Sequence, residues 1–216
     1  MASAFGGKPM YVPPAFREED LSVIHQAMRD APLAQLVTAG PAGLVATPLP
    51  MLLVADEGEH GVLYGHVSRA NPHWRAEVEG DALAIFMGPD AYVSPSWYPG
   101  KQRDGKVVPT WNYLAVHAYG PVEFFDDAAR LLTVVSALTD RHESGREAPW
   151  AVSDAPPDYV AAQLRGIIGV RLPIARIEAK RKMSQNRSAE DRAGVAAGLA
   201  ESQHEGDRKA AALIPK

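Results

Sequence analysis

From residue 34 to residue 125 the chain never runs far without a glycine or proline turn. Gln35–Ala39 ends in Gly40-Pro41-Ala42-Gly43, and Leu44–Val54 ends in Asp56-Glu57-Gly58-Glu59-His60-Gly61. Val62–Val67 leads to Asn71-Pro72, and Ala82–Met87 leads to Gly88-Pro89. Short apolar runs separated in this way form an antiparallel meander, because Gly, Pro, Asn and Asp supply the backbone angles that a reversal needs. Val108–Phe125 and Ile167–Ile177 read as longer strands. The sum is six or seven strands with peripheral helices: an α+β fold, with an antiparallel barrel as its centre.

Helical periodicity is confined to the flanks of this meander. Arg17–Asp30 carries Leu21, Ile24, Ala27 and Met28 at helical spacing, and Pro32 stops it. Asp127–His142 has Leu131, Val135 and Leu138 on one stripe. Pro149–Pro157 is loop, and Asp158–Leu164 and Arg187–Leu199 are shorter helices. Asn71-Pro72 has the form of an N-cap followed by proline, which predicts a short helix carrying Trp74 and Val78. Residues 1–9 read as an N-terminal extension, 10–203 as a single domain and 204–216 as a polar tail.

Composition excludes several function classes. The 216 residues hold 22 basic and 26 acidic side chains, a net charge of −4, which disfavours nonspecific coating of nucleic acid. A chain without cysteine has no disulfide, thiolate metal site or cysteine nucleophile. No apolar run reaches the length of a membrane span, and MASAFGGKPM lacks the apolar core of a secretory signal, so no membrane partner and a cytoplasmic location are expected. Neither Gly-x-Gly-x-x-Gly opening a helix, nor a Walker-type loop, nor a Gly-x-Ser-x-Gly elbow is present. The seven histidines show no close-spaced ligand pair, so no metal site is expected.

Three segments carry chemistry. The first runs Tyr64-Gly65-His66-Val67-Ser68-Arg69-Ala70-Asn71-Pro72-His73-Trp74, from a strand end into a helix start. Free amides and a guanidinium there suit an anion, although a capped turn with a surface arginine gives the same pattern. The second pairs Ser94-Pro95-Ser96-Trp97-Tyr98 with Pro109-Thr110-Trp111-Asn112-Tyr113. Flat rings beside hydrogen-bonding groups suit a planar heteroaromatic ligand or an interface, and equally a strand core. The third is Lys180-Arg181-Lys182-Met183-Ser184-Gln185-Asn186-Arg187, the most basic stretch of an acidic chain. It reads as a solvated face, a phosphate site or a DNA-facing patch. Together the three suit a phosphorylated planar cofactor. His117 alternates with small and apolar neighbours and reads as a structural histidine.

Met10-Tyr11-Val12-Pro13, Leu63-Tyr64-Gly65-His66, Arg69-Ala70-Asn71-Pro72, Ala91–Tyr98, Val108–Tyr113 and Lys182-Met183-Ser184-Gln185-Asn186 resemble, in order and over about residues 10–200, the PaiB family of FMN-binding negative transcriptional regulators. The resemblance implies the FMN-binding split barrel, related to flavin reductases and pyridoxamine-phosphate oxidases, and a homodimer with FMN at its interface. By the same resemblance, Gly65, His66, Arg69, Ala70 and Asn71 match the phosphate-contacting turn of the wider class. That turn is richer in basic residues in the oxidases, so oxidase activity is not carried over. Thr110, Trp111 and Asn112 match a strand near the flavin, and Lys182, Ser184 and Gln185 are further candidate ligands. A regulator is the first functional expectation, with DNA as a candidate partner although no helix-turn-helix is visible. A flavin-dependent oxidoreductase and a flavin-carrying sensor acting through a protein partner are the alternatives.

Overall fold

The computed structural model describes residues 9–101 and 105–216. The expected N-terminal extension up to residue 8, and residues 102–104 of the Pro95–Val108 loop, lie outside the described residues. The described chain divides into two compact units, one of residues 31–86 and 117–177, the other of 9–30, 87–116 and 178–216.

In the first unit, β2 (Ala34–Gly40) and β3 (Gly43–Leu49) form a hairpin closed by Pro41-Ala42, in register from Ala34↔Leu49 to Gly40↔Gly43. The single run expected over Leu44–Val54 is two strands. Pro50, which has no N–H for a ladder, separates β3 from β4 (Met51–Val54), and β4 belongs to a different sheet. That second sheet has the order β4, β5 (Val62–Ser68), β9 (Ile167–Pro173), β8 (Glu123–Phe125), and every pairing in it is antiparallel. The helix α2 (Ala128–Glu143) starts where expected, capped by the Asp127 carboxylate, which accepts from the Arg130 amide at 2.8 Å. Its buried Leu131, Val134 and Leu138 meet Phe125 and Leu164, the last from α3 (Pro157–Arg165). Gly169 of β9 lies beneath Phe125: a Cβ there would come within 2.3 Å of the ring. No side chain larger than hydrogen fits without moving that ring.

In the second unit, β1 (Arg17–Glu18) pairs with β10 (Arg176–Lys182). The helix expected from Arg17 begins later, as α1 (Leu21–Asp30), because Asp20 accepts from the Ser22 amide at 2.8 Å and so acts as the helix start signal. The stretch expected as one strand over Ile167–Ile177 breaks at Ile174-Ala175, directly after Pro173, into β9 and β10. The strand β6 (Ala82–Val93) runs on through Gly88-Pro89, where a stop was expected. Its buried positions shift phase there, from Ala82, Ala84 and Phe86 to Ala91 and Val93. An irregularity absorbs the proline without ending the strand. Strand β7 (Thr110–Gly120) follows, and Pro121-Val122 parts it from β8. Among the described residues there are ten strands, not six or seven, because three of the long expected runs are each divided in two beside a proline and the two-residue β1 is a further strand.

Helix α4 (Ala189–Ala200) packs on the 3-10 turn Pro95–Trp97 through Gly198, whose added Cβ would lie 2.5 Å from the Trp97 ring. The segment read as a polar tail carries α5 (Glu205–Ala212), with Ala210 and Ile214 buried. Arg181 donates to the Leu213 carbonyl at 2.8 Å and Arg192 to the Pro215 carbonyl at 3.0 Å, which ties that segment down. The fold is α+β, an antiparallel split barrel with peripheral helices. Among the described residues no helix is long and apolar enough to cross a membrane.

Candidate cofactor site

The residues just after β10 and the first residues of β7 line a cavity of about 190 Å³. Thr110, Asn112, Lys182 and Ser184, all expected from sequence, lie on its wall, together with Phe16, Tyr98, Val108, Asn186 and Arg187. Alternation along β7 explains the first pair: Thr110 and Asn112 share a face, while Trp111 between them points outward and is 53% exposed. Trp111 nonetheless contributes its carbonyl, which accepts from the Lys182 ammonium, as does Thr110 Oγ1.

The turn after β10 is held in an uncommon backbone state. Ser184 has φ of 60°, the one positive value outside glycine among the described residues, which costs a serine about 1–2 kcal/mol. Buried partners offset this. Ser184 Oγ accepts from Asn112 Nδ2 at 3.0 Å, and both side chains are almost fully buried. Gln185 does not line the cavity but braces it: its Oε1 accepts from the Met183 amide at 2.6 Å, and its Nε2 donates to the Arg181 carbonyl. The turn thereby aims Lys182 and Arg187 into one space.

The electrostatics are those of an anion site. Among the described residues neither Lys182 nor Arg187 has a carboxylate within ion-pair distance. Burial first, then the charges of Lys180 and Arg187, hold the Lys182 ammonium below the ordinary lysine value of 10.5. The Arg187 guanidinium lies 4.9 Å from the centre of the Tyr98 ring. Burial pushes the Tyr98 phenol upward; Arg187 works against this, although no hydrogen bond of ordinary geometry reaches the buried hydroxyl. Two cations in need of a counter-charge, with hydroxyls and amides around them, fit a phosphate and a polyol chain. The volume fits that end of FMN and not its three-ring head, which needs surface beyond the cavity.

The other expected ligands, Gly65, His66, Arg69, Ala70 and Asn71, belong to the first unit. Arg69 has internal partners: its Nε donates to the Arg165 carbonyl at 2.7 Å, and its Nη2 lies 3.5 Å from Asp126. Asn71 is the expected cap, accepting from the His73 amide at 2.9 Å, but it opens a four-residue 3-10 turn, Pro72–Arg75, that stops short of Val78. So short a turn has little dipole to offer an anion. The Ala70 amide donates to Ser68 Oγ at 3.2 Å, and Gly65 packs under Pro50, whose carbonyl would be 2.9 Å from an added Cβ. His66 lines a separate cavity.

Sequence reasoning missed Phe16 in the Lys182 cavity, and passed over Tyr98, Val108, Asn186 and Arg187 although all four lay in segments it had marked. Spacing alone does not separate the wall residues of a turn from their solvated neighbours. Arg181, one of the cations expected on a DNA-facing patch, is instead 3.7 Å from Glu18.

Residues 10–176 match the FMN_bind_2 family, described as "Putative FMN-binding domain". The match includes Thr110 and Asn112 and ends before Lys182. The chain is 32% identical to the protease synthase and sporulation protein PAI 2 of Bacillus subtilis, over 95% of this chain and 96% of that one. Among solved structures it resembles the FAD and heme binding protein of Mycobacterium smegmatis, with a TM-score of 0.55 and 22% identity over 84% of this chain and 80% of that one. It also resembles the flavocytochrome Anf3 of Azotobacter vinelandii, with a TM-score of 0.55 and 16% identity over 87% and 80%. At such identities the structural likeness reports the fold. A family match over most of the chain, joined to a relative alike almost end to end, makes this protein a member of the FMN_bind_2 family.

Proposed function

We propose that the protein is a cytoplasmic homodimer of the PaiB type that carries FMN and acts as a negative transcriptional regulator, with the Lys182–Arg187 cavity taking the phosphate end of the cofactor. FMN is the cofactor that family membership assigns to the chain. What carries the placement is the convergence of Lys182 and Arg187, without carboxylate partners among the described residues, on one cavity with Thr110 and Ser184.

In this reading Lys182 and Arg187 counter the phosphate dianion, and the Thr110 hydroxyl, whose oxygen accepts from Lys182, donates to a phosphate or ribityl oxygen. Asn112 and Gln185 hold the turn in shape. When bound, the flavin supplies hydride and electron transfer. The homodimer is supported by Tyr92 and Trp111, exposed by 47% and 53%, which meet edge to face at 6.1 Å. Exposed paired aromatics are the residues that interfaces cover. The regulator reading rests on the PaiB resemblance and on the name of the Bacillus subtilis relative. Because Arg181 is held by Glu18 and by the Leu213 carbonyl, regulation through a protein partner is better supported than direct DNA contact by the Lys180–Arg187 stretch.

The absorption spectrum of natively purified protein tests the cofactor: flavin bands that persist through gel filtration are expected, and their absence after growth with excess riboflavin overturns the reading. Sedimentation tests assembly, with a dimer expected and a monomer at micromolar concentration contrary to it. Steady-state kinetics with nicotinamide donors tests the regulator against the oxidoreductase: turnover above about 1 s⁻¹ favours the enzyme.

A further inference from the structure

We infer that the first unit contains a second, independent ligand site, a cavity of about 300 Å³ that takes an uncharged, mostly apolar molecule bearing one hydroxyl. The cavity lies between α2, α3 and the Trp150–Ala155 segment, with His66 of β5 and Ile167 of β9 on its wall. Its volume falls at the lower end of the range for small-molecule pockets.

Two observations specify the ligand. The first is the wall: Val135, Leu164 and Ile167 contribute aliphatic surface, Trp150 contributes a ring that is 48% exposed, and no charged side chain is on it among the described residues. A carboxylate or ammonium bound there would lose its water without gaining a counter-charge. The second is His66. Its Nδ1 is buried without a hydrogen-bond partner, and burial holds the ring below its ordinary value of 6.5, so it is neutral at pH 7. A buried nitrogen of this kind either costs stability or meets a partner that the chain does not supply. A ligand hydroxyl meets it in either tautomer, since it both donates and accepts. The other polar groups there are the Trp150 indole N–H and the side chains of Thr139, Tyr159 and Gln163, which lie on helices, and Tyr159 and Gln163 are exposed and solvated.

The site does not depend on the FMN reading, because none of its residues belongs to the Lys182 cavity. Calorimetry on the protein as purified, with its flavin, and three probes decides it. 2-Naphthol is expected to bind, naphthalene about five- to tenfold more weakly for want of the hydrogen bond, and 2-naphthoate not measurably. In His66→Leu, 2-naphthol and naphthalene should bind alike; His66→Gln, which keeps a hydrogen-bonding group, should retain part of the preference. Failure of 2-naphthol to bind up to its solubility means a water-filled recess and overturns the inference. Equal binding of 2-naphthol and 2-naphthoate, or a preference that survives in His66→Leu, also overturns it.

Discussion

Ser184 Oγ and Asn112 Nδ2 lie 3.0 Å apart across 72 residues of sequence, and this buried contact holds the turn that carries Lys182 and Arg187. The backbone at Ser184 is left-handed, so the contact opposes a conformational cost. Ser184→Gly removes both the contact and the strain, whereas Ser184→Ala removes the contact alone. Urea unfolding should therefore rank wild type above Ser184→Gly and Ser184→Gly above Ser184→Ala, with Ser184→Ala about 1–2 kcal/mol less stable than wild type. Ser184→Ala as stable as wild type would show the contact to be idle.

Lys182 gives a prediction about affinity. Lys182→Gln should weaken FMN by about 1.5–3 kcal/mol, the scale of a hydrogen bond to a charged group, and leave riboflavin almost unaffected because it has no phosphate. Equal losses for the two ligands, measured by flavin fluorescence quenching, would mean that Lys182 acts through folding. Arg69→Ala should cost both ligands alike or neither, since its guanidinium already serves the Arg165 carbonyl and Asp126.

The same lysine predicts a pH dependence of binding. Its folded-state pKa lies below 10.5 in the absence of an anion, and a bound phosphate raises it. Only the protonated form attracts the phosphate. FMN affinity should therefore fall as pH rises through the lowered pKa, by up to tenfold per pH unit, before an ordinary lysine begins to titrate. Lys182→Arg should abolish that fall, as a guanidinium stays charged throughout.

Histidine burial sets part of the acid limb of stability. His73 is 1% exposed, with Thr38 Oγ1 2.8 Å from Nε2 and Thr47 Oγ1 2.8 Å from Nδ1, and burial lowers its pKa from 6.5. His66 is lowered from 6.5 for the same reason. Below 6.5 the unfolded chain takes up protons that the folded chain does not. This stabilising contribution is complete above 6.5 and is lost as pH falls toward the folded-state values. His73→Gln should flatten the slope of unfolding free energy just below pH 6.5. The limb at lower pH should persist, because Glu57 and Glu123 are held below 4.5 by hydrogen bonds, Glu57 chiefly to Arg171 and Glu123 chiefly to Arg130.

Close packing at Gly169 is testable in isolation. Gly169→Ala should destabilise the protein by about 1–3 kcal/mol, because the new methyl group displaces the Phe125 ring. Gly145→Ala, where an added Cβ meets nothing within 4 Å, should be neutral or slightly stabilising. Equal thermal midpoints for the two variants would contradict the packing argument.

Local chemistry made several elements readable in the sequence. The Gly40–Gly43 reversal, the Asp127 cap and the stripe through Leu131 and Leu138 depend on residues within one turn of each other, where backbone preference and periodicity act directly. Proline was the ambiguous letter: Pro50 moves the chain to another sheet, Pro89 is absorbed within β6, and Pro173 is the last residue of β9. Which outcome follows depends on strands distant in sequence that take up or forgo the missing hydrogen bond. The site divides in the same way. Lys182 and Ser184 stood out by their chemistry, but their meeting with Thr110, Tyr98 and Arg187 required strand pairing and a left-handed turn. Arg69 and Arg181 looked as available as Lys182 in a linear reading. Only tertiary structure could distinguish them, because the first two end beside carboxylates, Asp126 and Glu18, whereas the third meets only the uncharged Thr110 hydroxyl and Trp111 carbonyl.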